Sequence, residues 1–226
     1  MDSVLLSTAY FPPIFYFSRL IHASNIIIEK EENFHKQTYR NRCIILGANG
    51  PLNLTVPIEH TEPKIKIPNL NIFYQNHWQL IHFRAIESAY RNSPYYEYYI
   101  DDFKVFFQKK PTTLFDLNLD ILKTCLNVIG CKCLIEFTLD FVSEETDTDF
   151  RFISPKKEIT DFIFPVYHQV FDEKFSFVPN LSILDLIFNL GPDTSNYLNS
   201  IHKKMDRFDS VHFINPKNPN YKKPRN

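Results

Sequence analysis

The chain has 226 residues, a length that fits one large domain or two small ones. Its 25 basic and 26 acidic residues give a formal net charge of −1, which argues against a globally basic nucleic-acid-binding protein. Hydrophobic residues make up 44% and charged residues 23%, close to the averages of folded proteins. We therefore expect a folded soluble protein with a substantial core.

Glycine is scarce, and its four positions exclude several familiar signatures. The glycines are Gly47, Gly50, Gly130 and Gly191. This spacing permits neither the G-x-G-x-x-G dinucleotide motif, nor a P-loop, nor the G-x-S-x-G turn of hydrolases. We therefore expect no nucleotide cofactor.

Signals for export and for metal binding are also missing from the sequence. The residues after Met1 lack a basic region, and no apolar run approaches the ~18 residues of a membrane span. The cysteines are Cys43, Cys125, Cys131 and Cys133, and they form only one C-x-C pair without zinc-ligand spacing. We expect a cytoplasmic protein with reduced thiols and no bound metal.

The first sixty residues predict strands and one helix. In chain order these are a strand at residues 4–6, a helix at 13–23, a strand at 25–28, and a hairpin formed by 43–46 and 52–58. A short helical crossover favours parallel pairing of the first two strands in one sheet. Asn49 and Gly50 supply the hairpin turn, since Asn-Gly between apolar runs is a strong hairpin signal.

The rest of the chain predicts mainly helices. Apolar spacing gives a helix with one face formed by Trp78, Ile81, His82, Ala85, Ile86, Ala89 and Tyr90. Further helices are expected from Ser93-Pro94, over residues 114–129, over 181–189 and over 195–205, with a strand at 133–141. We expect a single mixed α/β domain over residues 1–214, with strands mainly in the N-terminal third, and a disordered basic tail over 215–226.

The most polar stretch, residues 31–42, follows directly after a predicted strand. Lys36, Arg40 and Arg42 supply cations suited to phosphate or carboxylate, and Gln37 and Asn41 supply amide groups. Loops at strand ends are common binding positions in α/β folds. The alternative is a solvated polar connection without a ligand.

Two side chains are candidates for acid–base chemistry. His82 has a suitable side chain for proton transfer near neutral pH, although a histidine on an apolar face is commonly a core residue. Asp185 is a candidate base, but Ser182 three residues earlier makes a helix-capping box a sufficient structural explanation.

Seven stretches, in order over residues 4 to 192, resemble the WbqC family and in particular its Bacteroidetes-type branch. They are Ala9-Tyr10-Phe11-Pro12-Pro13, Lys36-Gln37-Thr38-Tyr39-Arg40-Asn41-Arg42, Asn49-Gly50, Leu54-Thr55-Val56-Pro57, Trp78-x-x-x-His82, Tyr90-x-x-Ser93-Pro94-Tyr95-Tyr96 and Pro179-Asn180-Leu181-Ser182-Ile183-Leu184-Asp185-Leu186-Ile187-Phe188-Asn189. This chain has Ser7-Thr8-Ala9 where the family usually carries His-Gln-Pro, and its segment 141–167 is short and lacks glycine.

The resemblance implies a bacterial protein of the kind often encoded with surface-polysaccharide genes. It suggests a transferase that passes an acyl or aminoacyl group to an amino sugar or similar anionic, nucleotide-sugar-like substrate. We expect one pocket with catalytic His82 and Asp185 and with the binding residues Tyr10, Lys36, Gln37, Arg40, Asn41, Arg42, Trp78 and Tyr90. The alternative is a non-catalytic binding or assembly protein that uses the aromatic residues 95–99. The sequence does not give the oligomeric state.

Overall fold

A parallel three-stranded sheet and an antiparallel hairpin contain the strands, and helices cover them. The computed structural model describes residues 3–59, 64–143, 146–156 and 162–206. The strands are β1 (Ser3–Ser7), β2 (Asn25–Glu29), β3 (Arg42–Gly47), β4 (Gly50–Thr55) and β5 (Leu134–Phe137). The helices are α1 (Ile14–Leu20), α2 (Trp78–Tyr90), α3 (Tyr96–Gln108), α4 (Leu114–Ile129), α5 (Asp172–Phe175), α6 (Ile183–Leu190) and α7 (Thr194–Asp206).

The parallel sheet has the strand order β1-β2-β5. β1 and β2 pair in parallel with Ser3 opposite Asn25, so the prediction of neighbouring parallel strands is confirmed. On the other side of β1, the Leu5 N–H donates to the Thr148 carbonyl at 2.9 Å and the Phe150 N–H donates to the Leu5 carbonyl at 2.8 Å. Four parallel segments therefore end at the same edge of the sheet, which we call the carboxyl edge.

The hairpin forms where the Asn-Gly pair predicts it. β3 and β4 pair in antiparallel register from Arg42 opposite Thr55 to Gly47 opposite Gly50. Gly50 adopts a φ of 106°, a backbone conformation that glycine accepts more readily than other residues.

Aromatic residues make up 15% of the chain, and many of them lie in the core. All seven residues of α1 are buried, and the helix packs against α6 and α7. Rings from distant parts of the chain meet around Phe188, which lies 5.3 Å from Tyr90 and 5.8 Å from Phe103 between ring centroids. Burial of large aromatic side chains contributes much of the apolar area removed from water.

The mixed α/β class and the order of its elements are confirmed, but several boundaries differ. α2 and α4 have the predicted bounds, and Thr113 caps α4 by accepting a hydrogen bond from the Asp116 N–H. Ile81 was expected on the buried face of α2 but is 59% exposed. The helix expected from Ser93-Pro94 begins only at Tyr96. The Ser93 N–H and the Ser93 hydroxyl both donate to the Tyr90 carbonyl, and this turn delays the start of the helix.

Other differences follow from local hydrogen bonds. The strand expected over residues 133–141 is limited to 134–137, since the Thr138 hydroxyl turns towards Glu29 at 2.7 Å. The short helix α5 was not predicted. The tail at residues 215–226 lies outside the described residues, so the division into domain and tail stays a prediction. In the described ranges, no helix has the length and apolar composition needed to cross a membrane.

Two glycines at helix ends provide a matched test of the packing. Both have positive φ, 53° for Gly191 after α6 and 75° for Gly130 after α4. An added Cβ at Gly191 would lie 2.5 Å from two ring carbons of Tyr95, whereas one at Gly130 would meet nothing within 4 Å. We expect Gly130→Ala to lower the free energy of unfolding by about 1 kcal/mol and Gly191→Ala by about 2–4 kcal/mol. Equal losses in urea unfolding would contradict this packing.

Candidate functional site

Polar side chains collect at the carboxyl edge of the parallel sheet. Ligands in open α/β sheets bind preferentially beyond the carboxyl ends of the strands. Ser7 ends β1 and Glu29 ends β2, while Asp149 lies on the segment that pairs with β1. All three are buried, although most such residues lie at protein surfaces.

The central interaction at this edge is a buried ion pair between Arg40 and Glu32. Arg40 is 7% exposed, and its Nε donates to Glu32 Oε1 at 2.8 Å while its Nη2 contacts Oε2 of the same carboxylate. Arg40 Nη2 also donates to Ser7 Oγ at 2.7 Å, and Ser7 Oγ donates to Glu32 Oε2 at 3.0 Å. These bonds fix the orientation of the guanidinium group.

A second charged group lies next to the first. Arg151 Nη1 donates to Glu29 Oε2 at 3.0 Å, and its Nη2 donates to Asp149 Oδ2 at 2.6 Å. The hydrogen bond with Asp149 raises the pKa of Arg151 against the opposite effect of burial. Glu29 also accepts from the Thr138 hydroxyl and the Val142 N–H, which holds the chain after β5 against the carboxyl edge.

A small cleft opens beside the first ion pair, and we call it the strand-end cleft. It is bordered by Ser7, Thr8, Ala9, Tyr16, Tyr39, Arg40, Phe150 and Ile153. In this structure it has room for about one water-sized group. Burial raises the pKa of Tyr39 to about 12, so its phenol stays protonated at neutral pH.

A second small cleft lies on the other side of Thr8 and Ala9. It is bordered by those two residues and by Ile28, Phe115, Asn118, Leu119 and Leu122. The Asn118 Nδ2 donates to the Arg40 carbonyl at 2.7 Å, so α4 supports the segment that carries Arg40. Asn118 Oδ1 is buried and has no hydrogen-bond partner among the described residues.

The predicted site residues of the polar stretch 31–42 differ in their exposure to solvent. Lys36 and Gln37 are exposed, whereas Arg40 and Asn41 are buried. Asn41 Nδ2 donates to the Val56 carbonyl at 3.0 Å, and Arg42 begins β3. Residues 36–41 form turns and bends and not an extended strand, so Arg40 and Arg42 do not lie on one face of a strand.

His82 lies in a buried aromatic cluster with two other predicted site residues. Its Nδ1 lies 2.9 Å from the Tyr10 hydroxyl, and its ring centroid lies 5.1 Å from that of Trp78. Burial lowers the pKa of His82 to about 4, although a hydrogen bond with the Thr55 backbone opposes this shift. The imidazole is therefore neutral at pH 7 and is engaged on both of its sides.

Asp185 is the centre of another buried cluster, in which Tyr90 also lies. Its Oδ2 accepts hydrogen bonds from the Tyr167 hydroxyl and from Gln169 Nε2, the latter at 2.9 Å. Burial raises the pKa of Asp185 to about 6, while Tyr167, Gln169 and Tyr90 partly offset that rise.

The capping-box interpretation of Asp185 is wrong. Its carboxylate does not accept from the Ser182 N–H, because that N–H donates to the Ile44 carbonyl at 2.8 Å. The Ser182 hydroxyl instead donates to the Phe11 carbonyl at 3.0 Å and accepts from the Leu184 N–H.

The expected single pocket is therefore not formed by the predicted residues. Tyr10, Trp78 and His82 come together, Tyr90 joins Asp185, and Arg40 alone among the ten predicted residues borders the strand-end cleft. The residues missed from sequence are Ser7, Glu29, Glu32, Asp149 and Arg151. Ser7 and Glu29 directly follow apolar strand residues. A polar residue at the end of a predicted strand is the sequence signal by which these two could have been identified.

In the part of the chain that the structure describes, no three side chains of His, Cys, Asp or Glu are arranged to hold a metal ion. All four cysteines are free thiols, and burial raises the pKa of Cys43 and Cys125 well above the usual range.

The raised pKa of Asp185 predicts a specific pH dependence of stability. As pH rises from about 4 to 6, the unfolded state releases the proton first and the folded state later, so this group destabilises the fold progressively. Asp185→Asn removes the ionisation. The stability of the variant relative to wild type should therefore rise by up to about 3 kcal/mol between pH 4 and 7.

Asp172→Asn is the control of opposite sign. Hydrogen bonding by the Gln169 backbone lowers the pKa of Asp172. The stability of wild type relative to this variant should therefore increase as pH rises through the range in which carboxyl groups titrate. Urea unfolding at several pH values measures both differences. A pH-independent difference for Asp185→Asn would show that this carboxyl is not perturbed by burial.

Comparison with known proteins assigns the chain to a family. A family model described as the WbqC-like protein family matches residues 8–160 and 147–197. A relative from Mycobacterium tuberculosis (strain ATCC 25618 / H37Rv), "Uncharacterized protein Rv1507c", is 22% identical over an alignment 221 residues long. The match covers 86% of this chain and 96% of that protein. No solved structure matches the chain. Since the family match spans most of the chain, this protein belongs to the WbqC-like protein family.

Proposed function

We propose that this WbqC-like protein binds a small anionic, nucleotide-sugar-like substrate with its anionic group at the mouth of the strand-end cleft and the rest of the molecule outside it. It transfers an acyl or aminoacyl group from an activated ester or thioester donor to the amine of the substrate's amino sugar, so that the new amide bond forms as the donor's alcohol or thiol leaves. The observation that carries the proposal is Arg40, a buried guanidinium fixed by Glu32 and Ser7 at the carboxyl edge. The family's frequent association with surface-polysaccharide genes supports this substrate class. We propose a cytoplasmic location for the same reason, because nucleotide sugars are made there.

Arg40 has one nitrogen available for a ligand. Its Nε and Nη2 are occupied by Glu32 and Ser7, whereas Nη1 has no hydrogen-bond partner among the described residues. A phosphate or carboxylate at Nη1 would gain a charge-assisted hydrogen bond from a group that is already oriented. Ser7, Thr8 and Tyr39 border the same cleft, and their side chains carry hydroxyl groups of the kind that binds phosphate or carboxylate oxygens.

The arrangement argues against His82 as the proton acceptor. Acyl transfer to an amine requires the amine to lose a proton. His82 is unsuited, because its Nδ1 contacts Tyr10, the Thr55 backbone engages the ring and burial lowers its pKa to about 4. Glu32 lies nearer the cleft, but Arg40 bonds both of its oxygens, and a carboxylate paired with a guanidinium is a weak base.

The competing function, assembly through an aromatic patch, has weaker support. Of the aromatic run at residues 95–99, Tyr96 is buried, Tyr95 and Tyr99 are half-buried, and only Tyr98, at 77% exposure, is open to a partner. The near-neutral net charge favours a small ligand over nucleic acid. We therefore favour the small-molecule function.

The test is a calorimetric binding screen of nucleotide sugars, acyl-coenzyme A compounds and amino acids. Arg40→Lys keeps the positive charge beside Glu32 but removes the planar guanidinium fork. We expect at least one anionic compound to bind wild type, and its affinity to fall roughly tenfold to hundredfold in Arg40→Lys, the loss of one charge-assisted hydrogen bond.

Arg42→Lys is the matched control, because Arg42 lies in β3 and does not border the cleft. Its affinity for the same compound should stay within about twofold of wild type, a negligible free-energy change. The proposal is contradicted if no anionic compound binds, or if the two variants lose affinity equally.

A further inference from the structure

β5 is an outer strand of the parallel sheet, and its outer edge is open. The strand pairs with β2 on one side, and no other described segment pairs with it on the other. Open edges are normally short, covered or charged, because unpaired N–H and C=O groups can accept another strand.

The backbone groups on the open edge can be identified from the pairing with β2. The Leu134 N–H donates to the Ser24 carbonyl and the Thr138 N–H donates to the Ile28 carbonyl. Since successive residues of a strand alternate in direction, the N–H and C=O groups of Cys133 and Ile135 point towards the open edge. These groups are available to a further strand.

The side chains on one face of the same strand are exposed. Leu134 and Glu136 of β5 and Lys132, two residues before the strand, alternate along the chain, and all three are exposed, Leu134 at 57%. Within the described ranges, neither Lys132 nor Glu136 forms an ion pair. An apolar side chain thus lies between two unpaired charges of opposite sign on an open edge.

We propose that two copies of this protein pair through β5, antiparallel, about a twofold axis at Leu134. This register places Leu134 opposite its counterpart and Lys132 opposite Glu136 of the second copy, twice by symmetry. Cys133 and Ile135 then form the hydrogen-bonded pairs. The charged and apolar pairs fall at non-hydrogen-bonded positions, where side chains approach most closely.

The charge pattern selects this register over its neighbours. An axis at Glu136 places that carboxylate opposite its own copy, which is unfavourable. An axis at Ile135 places Leu134 opposite Glu136 and leaves both charges without partners. Only the axis at Leu134 pairs every charge between residues 132 and 136 with one of opposite sign.

A charge-swap experiment tests the pairing. The oligomeric state is measured by analytical ultracentrifugation at micromolar concentrations for wild type, Lys132→Glu, Glu136→Lys and the double variant. We expect wild type to dimerise, each single substitution to weaken the dimer roughly tenfold or more, and the double swap to restore it. The substituted side chains are exposed, and circular dichroism checks that the fold is retained.

Disulfide crosslinking tests the register independently. Leu134→Cys is placed in a background where Cys131 and Cys133 are serine, and Glu136→Cys in the same background is the control. Facing residues at a non-hydrogen-bonded position have Cα atoms about 4.5 Å apart, within the range of a disulfide. Leu134→Cys should form a covalent dimer on oxidation and Glu136→Cys should not. The proposal is overturned if wild type is monomeric, if the charge changes do not alter the stability of the dimer, or if both cysteines crosslink equally.

Discussion

The buried pair between Arg40 and Glu32 is the polar interaction at the carboxyl edge that borders the strand-end cleft. Transferring two charges out of water is costly, and the loss is recovered only where geometry and additional hydrogen bonds are good. Here the guanidinium makes two contacts to one carboxylate and a third to Ser7. The pair therefore fixes the end of β1 against the segment that precedes the hairpin.

The backbone around this pair extends the connection to the rest of the fold. Asn118 on α4 donates to the Arg40 carbonyl, and the Ile67 N–H donates to the Glu32 carbonyl. The Tyr10 N–H donates to the Tyr39 carbonyl, which joins the turn after β1 to the same segment. The sheet, the hairpin and α4 thus meet where the strand-end cleft opens, and the shape of the cleft depends on the ion pair.

Much of the fold was predictable because its elements follow local rules. α4 has both a threonine cap and a glycine end, and α2 has a clear apolar period, so both have the predicted bounds. The start of α3 was not predictable, because the Ser93 turn depends on the Tyr90 carbonyl. The exposure of Ile81 depends on how helices pack, which the sequence period does not specify.

The candidate site was less accessible to sequence reasoning. Arg40 was identified from the cationic loop, but its partner Glu32 was not, because only the turns at residues 36–41 bring the two together. Likewise, Asp149 and Arg151 reach the carboxyl edge only because residues 148–150 pair with β1. Such long-range contacts leave no local pattern in the sequence. The position of Ser7 is different, because a polar residue directly after an apolar strand can be recognised from the sequence.

The most direct measurement of the central claim is a double-mutant cycle for Arg40→Met and Glu32→Met, with the free energy of unfolding measured in urea. Removing one partner leaves the other as an uncompensated buried charge, so the free energy of unfolding of each single variant should fall by about 3–5 kcal/mol. The double variant should lose well below the sum, with a coupling of about 1–3 kcal/mol. Additive losses would contradict the account, because they would show that the two side chains do not support the carboxyl edge as a pair.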